Sequence, residues 1–328
     1  MKLVDISSTP RLHTALPALP RPVADRQRHA PIERWVRWAA AEGWLNAMFF
    51  ASRRFPRFVQ WGKPFFRWGA WTHSHYLQDN ILANARWLLG ADSTAEQRWD
   101  FGRSVVSSFF DFVLDVGRST GQTQKQLLAR IASVEGDPAY KAARAARKGA
   151  IVLTAHMGSF EVGIAALLQH ERHVRVLFRR DSFGLFERTR STLRRQLGVI
   201  EECVDDGLNT WMRLREALAA DEVVLIQGDR VMPGQKGRRV PMLGGHMVLP
   251  TGPLRLALAT GAPIVPTFSV RDPDGRIRLF IEPPIWVTDE ASFESGLEAV
   301  RAALEKYLRR FPEQWLMIHR AWCEDAEK

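Results

Sequence analysis

From residue 150 onward, short apolar runs alternate with stretches of helical period. The first run, Ile151-Val152-Leu153-Thr154-Ala155, is apolar and β-branched enough to be buried on both faces, as strands of a parallel sheet are. A Gly158-Ser159 turn follows, then a helical pattern from Phe160 to Leu168. Further strands are expected at His173–Phe178, Val199–Val204, Glu222–Gln227, Pro263–Val270 and Arg276–Ile281. Helices are expected between them at Phe183–Leu197, Leu208–Ala219 and Gly252–Thr260, with an amphipathic one closing the series at Phe293–Phe311. This alternation predicts an α/β fold with a mostly parallel central sheet flanked by helices.

Upstream the pattern is helical: Leu77–Leu89, Thr94–Val116, Thr123–Ala132 and Pro138–Lys148, the last ending at Gly149 as a C-cap. Residues 1–31 carry five prolines among basic residues without sustained periodicity and read as a loosely held arm. The expected organisation is therefore an arm (1–31), a helical Trp/Arg-rich section (32–148) and an α/β core (149–328).

Composition changes the picture in the middle section. Eight of the twelve tryptophans precede residue 100 (Trp35, Trp38, Trp44, Trp61, Trp68, Trp71, Trp87 and Trp99), interleaved with phenylalanine, arginine and lysine. Such a mixture suits a segment lying among lipid headgroups, and it equally suits a helical hairpin packing its aromatics inward. The two are compatible if each takes one face. Nucleic-acid stacking uses the same residue types, but no binding module accompanies them, and no nucleic-acid partner is expected. The formal charge of +10 points to an anionic partner: nucleic acid, a phosphorylated lipid, an anionic bilayer or an acidic carrier protein. Two cysteines make no disulfide framework, and no run approaches membrane-spanning length.

Candidate chemistry collects where strands should end. His156 closes the first strand and Glu161 falls in the first turn of the helix after it, where a carboxylate is favoured and could orient an imidazole as a base. A satisfied strand-end histidine beside a routine helix-capping glutamate is the plain alternative. Arg179, with Arg180 beside it, is either an anion clamp or surface charge. Asp229-Arg230 is a structural ion pair, an anion site or a helper to the histidine. Gly252-Pro253 opens a helix whose free N–H groups suit a phosphate or an oxyanion. No Cys/His cluster has metal-ligand spacing, so no metal or other cofactor is expected.

Taken in order, His156-Met157-Gly158-Ser159-Phe160-Glu161, Phe178-Arg179, Gly228-Asp229-Arg230, Pro241-Met242-Leu243-Gly244, Pro250-Thr251-Gly252-Pro253 and Glu313-Gln314-Trp315-Leu316-Met317-Ile318-His319-Arg320 resemble the bacterial lipid A late acyltransferases. That lauroyl/myristoyl family includes the phosphatidylinositol mannoside acyltransferases, and the likeness runs from about residue 75 to the end. It implies a glycerolipid-acyltransferase-like fold with a membrane-facing helical section. It implies His156 as general base oriented by Glu161, with Arg179, Asp229, Arg230 and Gly252 binding substrate. It further implies an acyl-carrier-protein or CoA thioester donor and an anionic membrane glycolipid acceptor. The expected location is peripheral, on the cytoplasmic face of the inner membrane, because the hydrophobic anchor of many members is replaced here by Trp/Arg-rich segments. An acyltransferase for another lipid or amphiphile, or a non-catalytic basic membrane- or nucleic-acid-binding protein, are the competing readings.

Overall fold

The computed structural model describes residue 43 and residues 47–179, 184–232 and 234–323, with the backbone alone at 184–186. The arm at 1–31, Trp35, Trp38, Trp44, Arg180 and Asp181 lie outside the described residues.

Nine strands and eleven helices are described: α1 (Pro56–Trp61), α2 (Lys63–His73), α3 (His75–Leu88), α4 (Ala95–Ser119), α5 (Gln124–Leu128), β1 (Ile131–Glu135), α6 (Asp137–Ala145), β2 (Ala150–Thr154), α7 (Phe160–Leu167), β3 (Val174–Phe178), α8 (Gly184–Gln196), β4 (Ile200–Cys203), α9 (Leu208–Ala219), β5 (Val223–Gln227), β6 (Gly237–Met242), β7 (Gly245–Pro250), α10 (Gly252–Thr260), β8 (Ile264–Arg271), β9 (Ile277–Ile281) and α11 (Glu290–Arg310). Seven strands form one sheet in the order β1-β9-β8-β2-β5-β3-β4. The five from β8 to β4 are mutually parallel. β9 pairs antiparallel with β8 and parallel with β1, so this edge runs the other way.

The double burial read from the sequence is visible residue by residue. Ile151 and Leu153 of β2, with Val224 and Ile226 of β5, pack with Leu214 of α9, Leu254 of α10 and Val300 of α11. Ala150, Val152, Val223 and Leu225 alternate to the opposite face and meet Tyr140 of α6 and Phe160 of α7. Period-two alternation thus splits one apolar run between two cores.

Two expectations are corrected here. The helix expected through Ala132 ends at Leu128, and Ile131–Glu135 is the edge strand β1. The glycine- and proline-rich stretch at 237–250, for which no element was expected, is an antiparallel hairpin, β6–β7. Nor does Gly149 cap a helix, since α6 ends at Ala145.

The helical section is bound to the sheet by charge. Asp115 of α4, almost fully buried, pairs with Arg130 (2.6 Å) and with Arg271 of β8. No helix among the described residues is long and apolar enough to cross a membrane.

Candidate active site

The register of β2 against β5 builds the site. Thr154 is level with Gln227, and Gly228 N–H bonds the Thr154 carbonyl at 2.8 Å. Two residues further along each chain, His156 and Asp229 arrive side by side at the carboxyl edge of the sheet, where open α/β folds place their ligands. Asp229 Oδ1 lies 2.7 Å from His156 Nδ1, and Oδ2 accepts the His156 backbone N–H at 2.9 Å. The Trp315 indole N–H donates to the same Oδ2 at 2.8 Å. The Asp229 side chain has no solvent exposure, whereas a quarter of the His156 side chain is exposed.

Burial by itself would raise the Asp229 pKa. The neighbouring His156, its ring and backbone donors, and the Trp315 indole outweigh that and hold the carboxyl well below the usual carboxylate range. An ionised carboxylate only accepts hydrogen bonds, so Nδ1 carries the proton and Nε2 of the neutral ring keeps its lone pair. A base so oriented can take a proton from a hydroxyl.

The backbone around His156 is pinned from both sides. The Met157 carbonyl accepts from Ser269 Oγ (3.0 Å), and the His156 carbonyl accepts from Leu316 N–H (2.8 Å). Gly158 turns with φ 58°, and a Cβ there would lie 2.2 Å from the Ser269 carbonyl oxygen, so only glycine fits.

The segment 315–323 acts as a strap across this edge. Gln314, just before it, exchanges two hydrogen bonds of 2.8 Å with the Arg271 backbone. Asn84 of α3 donates to the Met317 and His319 carbonyls and accepts from Ala321 N–H. Asn80 reaches the Ile318 carbonyl, and Tyr76 Oη lies 2.7 Å from His319 Nδ1. Burial first, then the charges of Arg230 and His156, lower the His319 pKa.

The remaining expected residues divide. Glu161 is not the partner of His156. Its carboxylate is buried in the first turn of α7 and accepts from Arg190 Nε of α8 at 3.3 Å, in the helical layer beside the sheet. The correction follows from geometry: the strand register delivers Asp229 to Nδ1, while α7 carries Glu161 towards α8. Arg179 directly follows β3, which β5 separates from β2, and pairs with Asp205 beyond β4 at 3.2 Å. Arg230, half-buried next to Asp229, makes no ion pair with a described residue. Gly252 opens α10 at the carboxyl edge, since α10 must return from there to start β8. A Cβ at Gly252 would lie 2.7 Å from the ring of Trp211, so this glycine serves helix packing.

A family model for bacterial lipid A biosynthesis acyltransferases matches residues 26–324, nearly the whole chain. The chain belongs to that family. No curated protein matches it. Membership of that family makes it an acyltransferase, and the carboxyl-edge geometry is the place to look for its chemistry.

What the sequence reading of this acyltransferase missed is the strap's anchorage. Trp315 stood in the terminal motif with no assigned role, and α3 was read as a plain helix. Yet Tyr76, Asn80 and Asn84 recur every four residues, a polar stripe on a helix whose buried residues include Ile81 and Ala85. That periodicity was available as a signal of a polar ligand along one helix face.

Proposed function

We propose that the protein moves a fatty acyl chain from a thioester of acyl carrier protein or CoA to a hydroxyl of a membrane glycolipid, working peripherally at the membrane. His156 Nε2 accepts the hydroxyl proton as that oxygen attacks the thioester carbonyl. The tetrahedral intermediate collapses with cleavage of the C–S bond, and the imidazolium returns its proton to the departing thiolate. Asp229 holds the ring in the required tautomer and stabilises the imidazolium. The strap holds Asp229. Arg230 supplies a positive charge beside the pair for an anionic group of donor or acceptor, and the net charge of +10 suits an acidic carrier. Glu161 positions α8 through Arg190.

The observation that carries this reading is the 2.7 Å contact between His156 Nδ1 and a fully buried carboxylate at the sheet's carboxyl edge. His156→Ala tests it. With a radiolabelled acyl thioester and extracted glycolipid as acceptor, turnover should fall by about 10²–10⁴-fold while circular dichroism is unchanged. Transfer at the wild-type rate would remove His156 from the role of base.

A further inference from the structure

Among the described residues, 47–76 present a concentrated patch of exposed aromatic side chains. Phe50, Phe55, Phe58, Trp61, Phe65 and Trp68 each leave more than half of their surface in solvent. Phe58, Trp61, Phe65 and Trp68 recur at intervals of three, four and three, one face of a helix. Gly62, which joins α1 to α2, keeps right-handed helical backbone (φ −72°, ψ −9°), so the stripe continues across the junction. The rings associate side by side, with centroids 6.4 Å apart for Phe58–Trp61 and 6.0 Å for Trp61–Phe65.

The opposite face satisfies the packing of the section. Trp71 is almost wholly buried, its ring centroid 5.1 Å from that of Trp99, and Phe66 lies 5.0 Å from Phe110. The fold therefore does not need the outer rings. An apolar patch left in water at this density marks an interaction surface.

Charge names the occupant. No aspartate or glutamate occurs from Gly43 to Gln78, a span that carries Arg53, Arg54, Arg57, Lys63 and Arg67. Lys63 is drawn inward to Asp111 (2.6 Å), whereas Arg54, Arg57 and Arg67 are exposed around the rings. A second copy of the chain would meet this fringe with the same sign and be repelled. Anionic headgroups match it, and Trp and Phe are the rings that settle at the headgroup–acyl boundary. We propose that the outer face of α1–α2 docks on an anionic phospholipid bilayer. The proposal deepens the acyl-transfer reading, from which it takes only the premise that the acceptor lies in a membrane. α3, which follows α2 after Ser74, carries Tyr76 against His319 of the strap.

The test compares the full-length protein with its Trp61→Ser/Trp68→Ser variant by flotation on vesicles of phosphatidylethanolamine and phosphatidylglycerol. Both side chains are exposed, so circular dichroism and the melting temperature should match wild type. The variant should lose at least about tenfold in vesicle partitioning while keeping its turnover on detergent-dispersed acceptor. Wild-type binding should weaken on vesicles of phosphatidylcholine alone and as salt rises. Equal flotation of variant and wild type would overturn the proposal. So would a wild-type dimer in size-exclusion chromatography that the variant abolishes, with no vesicle binding by either. Flotation needs no turnover, so failure of the acyl-transfer reading would leave this result standing.

Discussion

Asp229 spends three hydrogen bonds on holding a negative charge where no water reaches it, and two of them come from His156. Asp229→Asn keeps the shape but can present an amide donor to Nδ1, which favours the wrong tautomer. Turnover should fall by about 10³–10⁴-fold with little change in KM, as steady-state kinetics would show. The same carboxylate is linked to stability. Its pKa is lower folded than unfolded, so its contribution is complete above the unfolded value of about 3.9 and is lost as pH falls through the folded one. The stability gap between wild type and Asp229→Asn, measured by urea titration, should therefore be full above the usual carboxylate range and narrow progressively as pH falls below about 4. Glu161→Gln is a contrasting case. It removes the charge facing Arg190 and should lower stability by about 1–3 kcal/mol, with a loss of kcat at least about tenfold smaller than that of Asp229→Asn. Losses of equal size would return Glu161 to the base's side.

Among the elements, the strap is the part on which the site depends while contributing no reacting atom. Trp315→Phe deletes one donor to Asp229 and keeps the apolar ring; its turnover should fall by about ten- to a hundredfold with the melting temperature only slightly lowered. Asn84→Ala leaves the Met317 and His319 carbonyls and the Ala321 N–H without their shared partner. Hydrogen exchange should then quicken across 315–323 before it does in β2 or β5. Legibility in the sequence also differs by element. β2 and β5 could be read because burial on both faces makes them continuous apolar runs. The β6–β7 hairpin could not, because Gly237, Pro241, Gly244, Gly245 and Pro250 outweighed the alternation of Val240, Met242, Met247 and Leu249. β1 is five residues at a sheet edge, half polar, with nothing in its periodicity to end the preceding helix. His156 and Asp229 were both legible as strand-end residues. Their partnership was one of three readings open for Asp229-Arg230, and choosing it depends on β5 lying beside β2, a fact of strand order rather than of spacing. Glu161 was favoured because it is near in sequence.

At the scale of the whole molecule, charge works at two distances. The surplus of +10 is a long-range field, and the apparent KM for an acidic acyl carrier should rise as ionic strength goes from about 0.05 M to about 0.5 M, with kcat little changed. The Asp115–Arg130–Arg271 cluster is short-range and fixes the helical section to the sheet. Asp115→Ala would strand the buried Arg130 guanidinium and the half-buried one of Arg271 and should cost about 3–5 kcal/mol, seen as a single lowered transition in chemical denaturation. Finally, the strap has a consequence for biosynthesis. A ribosome that has made β5 has already delivered both the imidazole and its carboxylate, but Trp315 and the backbone that brackets His156 are translated only after α11. The hydrogen bonds that brace this pair therefore join the segment after α11 to α3, across more than two hundred intervening residues, and form only once both have been made.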